Sequence, residues 1–306
     1  MSIITTVNVA DKEVKLTNLQ KNFWPGDITK AHLVKYYYEM APVLLPHLYN
    51  RPLVMKRYPD GIDGEAFYQK ECPDYAPAWI KTVPVEHSEK VVNYIVCDNP
   101  AALVWLANQG CIEIHPWLSR IENVECPNIA VMDLDPAPGA TFNDVLEIAL
   151  LVKKALEEFN LRSYPKTSGA TGLHIFIPIK PIYAYKTVTK VMQYIAELIV
   201  KTHPTKATVE RKVAKRTGKV YLDYLQNGRG KTMAFQYSLR PLPGAPVSTP
   251  VYWEEIEAKK VEPGSFNIHN IFTRIKKVGD IYRGALSEDQ ILDTILNLIN
   301  INNKNH

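Results

Sequence analysis

The 306-residue chain contains no apolar run long enough to cross a bilayer. Its first residues show no charged-then-apolar leader pattern, so a cytoplasmic protein that does not enter membranes is expected. Cysteine is sparse: Cys72, Cys97, Cys111 and Cys126 form no Cys-x-x-Cys pair. That excludes a disulfide scaffold and the usual zinc spacings, and the four read as reduced thiols. No internal repeat or low-complexity tract is present, which excludes solenoids and disordered arrays. The small-residue turn within 166–178 lacks the Gly-Lys-Ser/Thr ending of a Walker loop. A net charge of +4 is too small to indicate nucleic acid by itself. What remains, 46% hydrophobic and 22% charged residues, is ordinary for a globular protein with a substantial core.

The most informative stretch is residues 129–136, Ile-Ala-Val-Met-Asp-Leu-Asp-Pro. It reads as a buried strand ended by Pro136, with two carboxylates at its exit. Side chains at i and i+2 share a face about 6.6 Å apart, so Asp133 and Asp135 point together while Leu134 faces the core. Two close carboxylates in a low dielectric need a shared proton, a basic neighbour or a divalent metal. Their spacing suits bracketing paired ions, as in phosphoryl-transfer sites. A solvated strand end is the plain alternative.

Residues 166–178 read Lys-Thr-Ser-Gly-Ala-Thr-Gly-Leu-His-Ile-Phe-Ile-Pro. Ser168, Gly169 and Gly172 make a small-residue turn in which backbone N–H groups can approach an anion. His174 then alternates against Leu173, Ile175 and Ile177 on a strand. A tight hairpin with a core histidine is the bland counterpart. Residues 219–226 read as a further strand in which Asp223 projects as a third carboxylate. Arg240 precedes a Pro-rich strap, 241–250, and suits a phosphate. The basic run 201–219 is opposed within itself only by Glu210 and leads into the Asp223 strand, which favours phosphate contact.

The order Asp133-x-Asp135, Ser168-Gly169-x-x-Gly172-x-His174, Asp223, Arg240 resembles the archaeo-eukaryotic primase superfamily. More narrowly, it resembles the polymerase domain of bacterial ligase D and its stand-alone archaeal relatives. The segments Thr17 to Pro25, Ile28 to Lys30, Arg51 to Gly61 and Ile112-Glu113-Ile114-His115-Pro116-Trp117 match that family's motifs as well. The resemblance covers about residues 10–290.

Patterning predicts helices over 29–49 (Thr29 as N-cap, Pro42 as a kink or break), 100–109, 142–158, 188–201 and 287–301. Strands are predicted over 53–57 and 91–97. The resemblance, more than the pattern, implies an α+β primase-polymerase fold. Its catalytic module, near 126–290, would be an RRM-like mixed or antiparallel sheet with helices. A module near 10–125 would form one side of a cleft, and 291–306 a helix and tail, all within one domain. No RRM ribonucleoprotein signature is present.

The resemblance implies nucleotidyl transfer to a nucleic-acid 3′-hydroxyl. Asp133, Asp135 and Asp223 would hold two divalent ions, manganese or magnesium. Lys56, Ser168, Gly172, His174 and Arg240 would grip the triphosphate, with His115 and Gln226 near the incoming sugar or base. Asn18, Lys21 and Lys30 would bind a DNA 5′-phosphate. Phe67 and Tyr68 would stack on template, with Tyr where the family usually has Phe. Arg216 would meet template or triphosphate. Implied partners are gapped or primer-template DNA, nucleoside triphosphates, and a separate ligase and end-binding protein, since no ligase or nuclease module is legible. Ribonucleotides are expected to be preferred. Two other classes fit parts of the pattern: a metal-dependent nuclease or phosphatase, and a catalytically idle DNA-end binding module.

Overall fold

The computed structural model describes residues 4–304. They pack as two compact units. The first comprises the chain up to Val124 with Thr232–Ser248 and Phe266–Gly279; the second comprises Glu125–Lys231, Thr249–Ser265 and the chain from Asp280. The sequence reading kept 232–248 and 266–279 with the catalytic module; both segments pack with the N-terminal unit instead.

The first unit opens with the antiparallel hairpin β1 (Ile4–Val9) and β2 (Lys12–Thr17). A small ribbon follows, β3 (Asn22–Trp24) and β4 (Ile28–Thr29), turning through Gly26 at φ 81° and Asp27 at φ 65°. Helix α1 (Lys30–Leu48) starts where the Thr29 N–H donates to His32 Nδ1 at 3.0 Å. It continues through Pro42 and Pro46, so the expected break is absent. Its buried stripe of Leu33, Tyr36, Tyr37, Met40 and Leu44 anchors it to the core.

The sheet of this unit is ordered β6-β5-β8-β7, with β9 also paired to β5; the strands are β5 (Pro52–Arg57), β6 (Phe67–Gln69), β7 (Lys81–Glu86), β8 (Val91–Val96) and β9 (Cys111–Pro116). Helix α2 (Pro100–Asn108) is buried along nearly its whole length, as its almost wholly apolar sequence dictates. Asn99 caps it by accepting the Ala102 N–H at 3.0 Å, and Pro100 sits where its missing N–H costs nothing.

The second unit is built on a mixed sheet ordered β11-β12-β10-β14-β13: β10 (Ile129–Pro136), β11 (Tyr164–Thr167), β12 (Leu173–Pro178), β13 (Ala207–Thr208) and β14 (Val220–Asp223). All pairs are antiparallel except β13 with β14. Helices α3 (Phe142–Glu157) and α4 (Tyr185–Thr202) pack against each other and against β10. Thr141 and Asp144 cap α3 reciprocally. A short α5 (Trp253–Glu257) also belongs here, whereas α6 (Ile271–Val278) belongs to the first unit. The last helix, α7, spans Asp293–Lys304 and not 287–301. Residues before it are drawn off as a tether, because the Gln290 side chain accepts the Arg162 N–H and donates to the Arg162 and Pro178 carbonyls.

Candidate active site

In the second unit the register, and not only the alternation, assembles a site. Asp133 on β10 lies directly opposite His174 on β12 and opposite Asp223 on β14. His174 in turn lies opposite Lys166 on β11. Residues opposite one another in an antiparallel ladder share a face, so Lys166, His174, Asp133 and Asp223 form one row across four strands. Asp135 sits two residues along β10 on the same face. Leu134 points the other way, fully buried and paired in register with Leu173 and Leu222.

Contacts tighten the row. Lys166 Nζ is 2.7 Å from His174 Nδ1, and His174 Nε2 is 3.4 Å from Asp133 Oδ1. Lys166 is 0% exposed, so its charge is accommodated by buried partners such as this imidazole, and it lies over the Phe176 ring. If Lys166 is an ammonium, it donates to His174 Nδ1 and leaves the Nε2 proton facing Asp133.

Asp223 ends its strand. The sequence reading ran that strand through Gln226, but Asp223 Oδ1 accepts the Leu225 N–H at 3.0 Å and starts a single 3-10 turn, Tyr224–Asn227. Gln226 therefore rides on this turn, with its Nε2 3.5 Å from Asp223 Oδ2. The Tyr221 hydroxyl stands 3.4 Å from Asp223 Oδ1; burial first, then Asp223, pushes that phenol up to about 12.

Ser168 closes the β11–β12 turn. Its N–H donates to the Gly172 carbonyl, and its Oγ accepts the Ala170 and Gly172 N–H groups at 3.1 and 3.0 Å. A Cβ at Gly172 would lie 2.2 Å from the Leu134 carbonyl oxygen and 3.1 Å from Asp135 Oδ1. Glycine is thus required there by close approach to the acidic strand, and the turn is fastened beside Asp135.

The first unit holds a second cluster, around Glu113. On the sheet, Lys56 lies opposite Glu113 on β9 and opposite Tyr68 on β6. Lys56 Nζ is 2.6 Å and Arg240 Nε 2.8 Å from the Glu113 carboxylate; the Tyr58 hydroxyl donates to it at 2.9 Å, and His115 Nε2 lies 4.0 Å away. Burial opposes ionisation of Glu113, but Arg240, His115 and Lys56 outweigh it and hold the carboxyl below its usual range. Lys56 is raised: burial works against its charge, and Glu113 more than compensates. Tyr68 packs edge-on against the His115 ring and beneath Lys56. Arg240 is fixed through its backbone, its carbonyl accepting from Trp24 Nε1 at 3.2 Å and its N–H donating to Pro246. The structure therefore brings Lys56, His115 and Arg240 together, and brings Ser168, Gly172, His174 and Gln226 together with the carboxylates.

Asn18, Lys21 and Lys30 also converge. The segment is a tight turn, with Asn18 at φ 54° and the Lys21 N–H donating to the Asn18 carbonyl. The Lys30 N–H donates to the Lys21 carbonyl at 2.8 Å. Lys30 Nζ donates to the Thr17 carbonyl at 2.7 Å, and Lys21 pairs with Asp60. Burial first, then Lys21 and Arg57, pushes Lys30 down to about 8.

Phe67 and Tyr68 are both exposed, at 45% and 57%, so neither is a core aromatic. Arg216 lies over the Tyr221 ring at 3.4 Å and donates to the Glu210 and Arg211 carbonyls, pinning its own loop. The basic run is also less free than it reads, because Lys206 pairs with Asp144 and Glu147 of α3.

Sequence reading assigned no role to Glu113 or Lys166. A lone acid alternating with apolar residues on a strand was the available signal for Glu113. For Lys166 the signal was a lysine on the short strand entering the turn.

Three carboxylates are a hard oxygen donor set, which fits a divalent cation in chemistry. Among the described residues, no group of three His, Cys, Asp or Glu side chains stands ready as a metal shell. No helix among them is long and apolar enough to cross a membrane.

Comparison with known proteins places this geometry. Residues 29–282 match the family described as LigD, primase-polymerase domain. The bifunctional non-homologous end joining protein LigD of Bacillus subtilis is 36% identical over 93% of this chain and 46% of its own length. The multifunctional LigD of Mycolicibacterium smegmatis is 30% identical over 93% of this chain and 37% of its length. The chain thus spans less than half of these curated relatives. The polymerase domain of Mycobacterium tuberculosis ligase D, solved in complex with DNA, superposes with a TM-score of 0.85 at 29% identity, covering 90% of this chain and 99% of that one. With the motifs, the fold and the matched span in agreement, this chain belongs to the LigD primase-polymerase domain family.

Proposed function

We propose that this chain extends DNA primers and fills gaps at 5′-phosphorylated breaks in non-homologous end joining, preferring ribonucleotides. Membership of the family makes it a nucleotidyltransferase of the primase-polymerase type. The observation that carries the fuller reading is the row of Asp133, Asp223 and His174 in register, with Asp135 and the Ser168–Gly172 turn fastened beside it.

In this reading Asp133, Asp135 and Asp223 hold divalent cations, manganese or magnesium. Such ions supply activation of the attacking 3′-hydroxyl and stabilisation of charge at the phosphoryl group. The chain's own groups do the positioning. His174, fixed by Lys166, presents an N–H. The Ser168 turn keeps a glycine backbone close to the acidic strand end. Lys56 and Arg240 supply positive charge for a polyphosphate, and His115 beside Tyr68 supplies a polar edge for a sugar. Asn18, Lys21 and Lys30 select a terminal phosphate, whose extra charge distinguishes it from an internal diester. Strand sealing and end binding would complete the repair.

The test is extension of a labelled primer on a gapped, 5′-phosphorylated duplex, with ribo- and deoxynucleotides compared in manganese and magnesium. Templated addition that is faster with ribonucleotides is expected. Shortening of the labelled strand would mark a nuclease instead. Binding without either reaction would mark an end-binding module.

A further inference from the structure

We infer that Glu113 is a positioning residue, whose buried carboxylate holds Lys56 and Arg240 in place for the phosphates of a nucleotide before any nucleotide arrives. This rests on the reading of the Lys56–Arg240 cluster as a polyphosphate site. The Glu113 side chain is 1% exposed, whereas Lys56 retains 24% and Arg240 19%. A ligand can therefore reach the cations but not the anion behind them. The carboxylate is held from several sides. Tyr58 donates to Oε2, the same oxygen that Lys56 contacts, while Arg240 takes Oε1. Glu113 also lies opposite Lys56 in the β5–β9 ladder, so backbone pairing sets their separation. Arg240 comes from a segment over a hundred residues further along the chain, and Trp24 and Pro246 fix its backbone.

Lysine and arginine side chains are long and lose much rotamer freedom when a ligand immobilises them. A buried counter-ion imposes that ordering during folding, so phosphate binding does not incur it again. The arrangement also accounts for an otherwise unfavourable feature. A buried acid in a polyphosphate site repels the ligand, and two cations less one anion leave a single net positive charge. If only the electric field mattered, removing the Glu113 charge would strengthen anion binding. If position matters more, removal weakens it. The two accounts predict opposite signs.

The experiment titrates sodium tripolyphosphate into the protein calorimetrically, without divalent metal. It compares wild type, Glu113→Gln, Tyr58→Phe and Lys56→Met, and adds steady-state kinetics with nucleotide. Glu113→Gln should bind tripolyphosphate about tenfold more weakly and raise KM by a similar factor, with kcat within about threefold. Tyr58→Phe, which loosens the carboxylate but keeps every charge, should weaken binding about two- to threefold. Unchanged or tighter binding by folded Glu113→Gln overturns the inference. Should circular dichroism show that variant unfolded, Tyr58→Phe decides, and wild-type affinity there overturns it. If wild type binds no tripolyphosphate and Lys56→Met leaves KM unchanged, the phosphate reading of the cluster fails first, and the inference with it.

Discussion

The two units solve the problem of buried charge with opposite signs. In the first, one buried carboxylate, Glu113, gathers Lys56 and Arg240. In the second, a fully buried Lys166 meets His174, which meets Asp133 at one end of a carboxylate row. Each is a cross-strand row in register: Tyr68–Lys56–Glu113 across β6, β5 and β9, and Lys166–His174–Asp133–Asp223 across β11, β12, β10 and β14. A lone buried charge would be costly, and pairing it across a ladder fixes both partners at backbone precision. The first row leaves cations as its accessible members and suits an anionic ligand. The second leaves carboxylates and suits cations.

The largest break in this comparison comes from the carboxylates. Asp133→Ala or Asp135→Ala should reduce nucleotide addition by at least about 10²- to 10³-fold, while binding of 5′-phosphorylated ends stays within about twofold, because Lys21 and Lys30, proposed to bind the end, lie in the other unit. Primer extension and fluorescence binding on the same preparations check both halves. Normal extension by either variant removes the metal assignment.

Next comes the turn. Gly172→Ala places a methyl 2.2 Å from the Leu134 carbonyl oxygen. Overpacking of this kind costs about 1–3 kcal/mol. A lowered thermal midpoint and a loss of activity exceeding that of the Gly264→Ala control are expected, since nothing surrounds Gly264. Wild-type behaviour would mean that the turn can move away from β10.

The proposed 5′-phosphate site carries a pH signature. Burial and the neighbouring cations Lys21 and Arg57 hold Lys30 down at about 8. Lys30 is a cation below that value and neutral above it, whereas an ordinary lysine stays charged to beyond pH 10. Preference for a 5′-phosphate over a 5′-hydroxyl should therefore hold at pH 7 and fall by about tenfold at pH 9, at fixed salt. The Lys21→Ala/Lys30→Ala variant should show little preference at either pH and still extend a primer-template without a downstream strand. A wild-type preference that is flat from pH 7 to 9 would falsify the role of Lys30.

The smallest effect is at Tyr68. Tyr68→Phe should stay within about twofold of wild type in template binding, whereas Tyr68→Ala should lose about 1–3 kcal/mol of stacking. Equal losses would show that the hydroxyl, not the ring, matters, and would redirect attention to its neighbours Lys56 and His115.

Parts of this were legible early. The alternation around Asp133, Leu134 and Asp135 set their faces, because the period of a strand is two. Residue patterning over 29–49, 100–109 and 142–158 marked α1, α2 and α3 to within a residue or two. Other parts were not. Asp223 was read inside a longer strand because apolar alternation continues to Tyr224, but its own side chain ends the strand by taking the Leu225 N–H. Lys206 looked like part of a free basic run, yet its partners Asp144 and Glu147 lie on a helix some sixty residues earlier. Residues 287–292 looked helical until Gln290 found backbone partners near 162 and 178.

The sequence by itself determined the chemical inventory: three acids, a small-residue turn, a histidine, the scattered cations, and the faces from which most of them project. These depend on local periodicity and residue type, which travel with the chain. Tertiary structure decided who meets whom. Alternation fixes a face but not a register, and sliding a strand by two residues preserves the pattern while changing every partner. Only the folded sheets place His174 and Asp223 opposite Asp133, or Lys56 opposite Glu113. Only the folded chain brings Arg240, from a segment over a hundred residues away, to that same carboxylate.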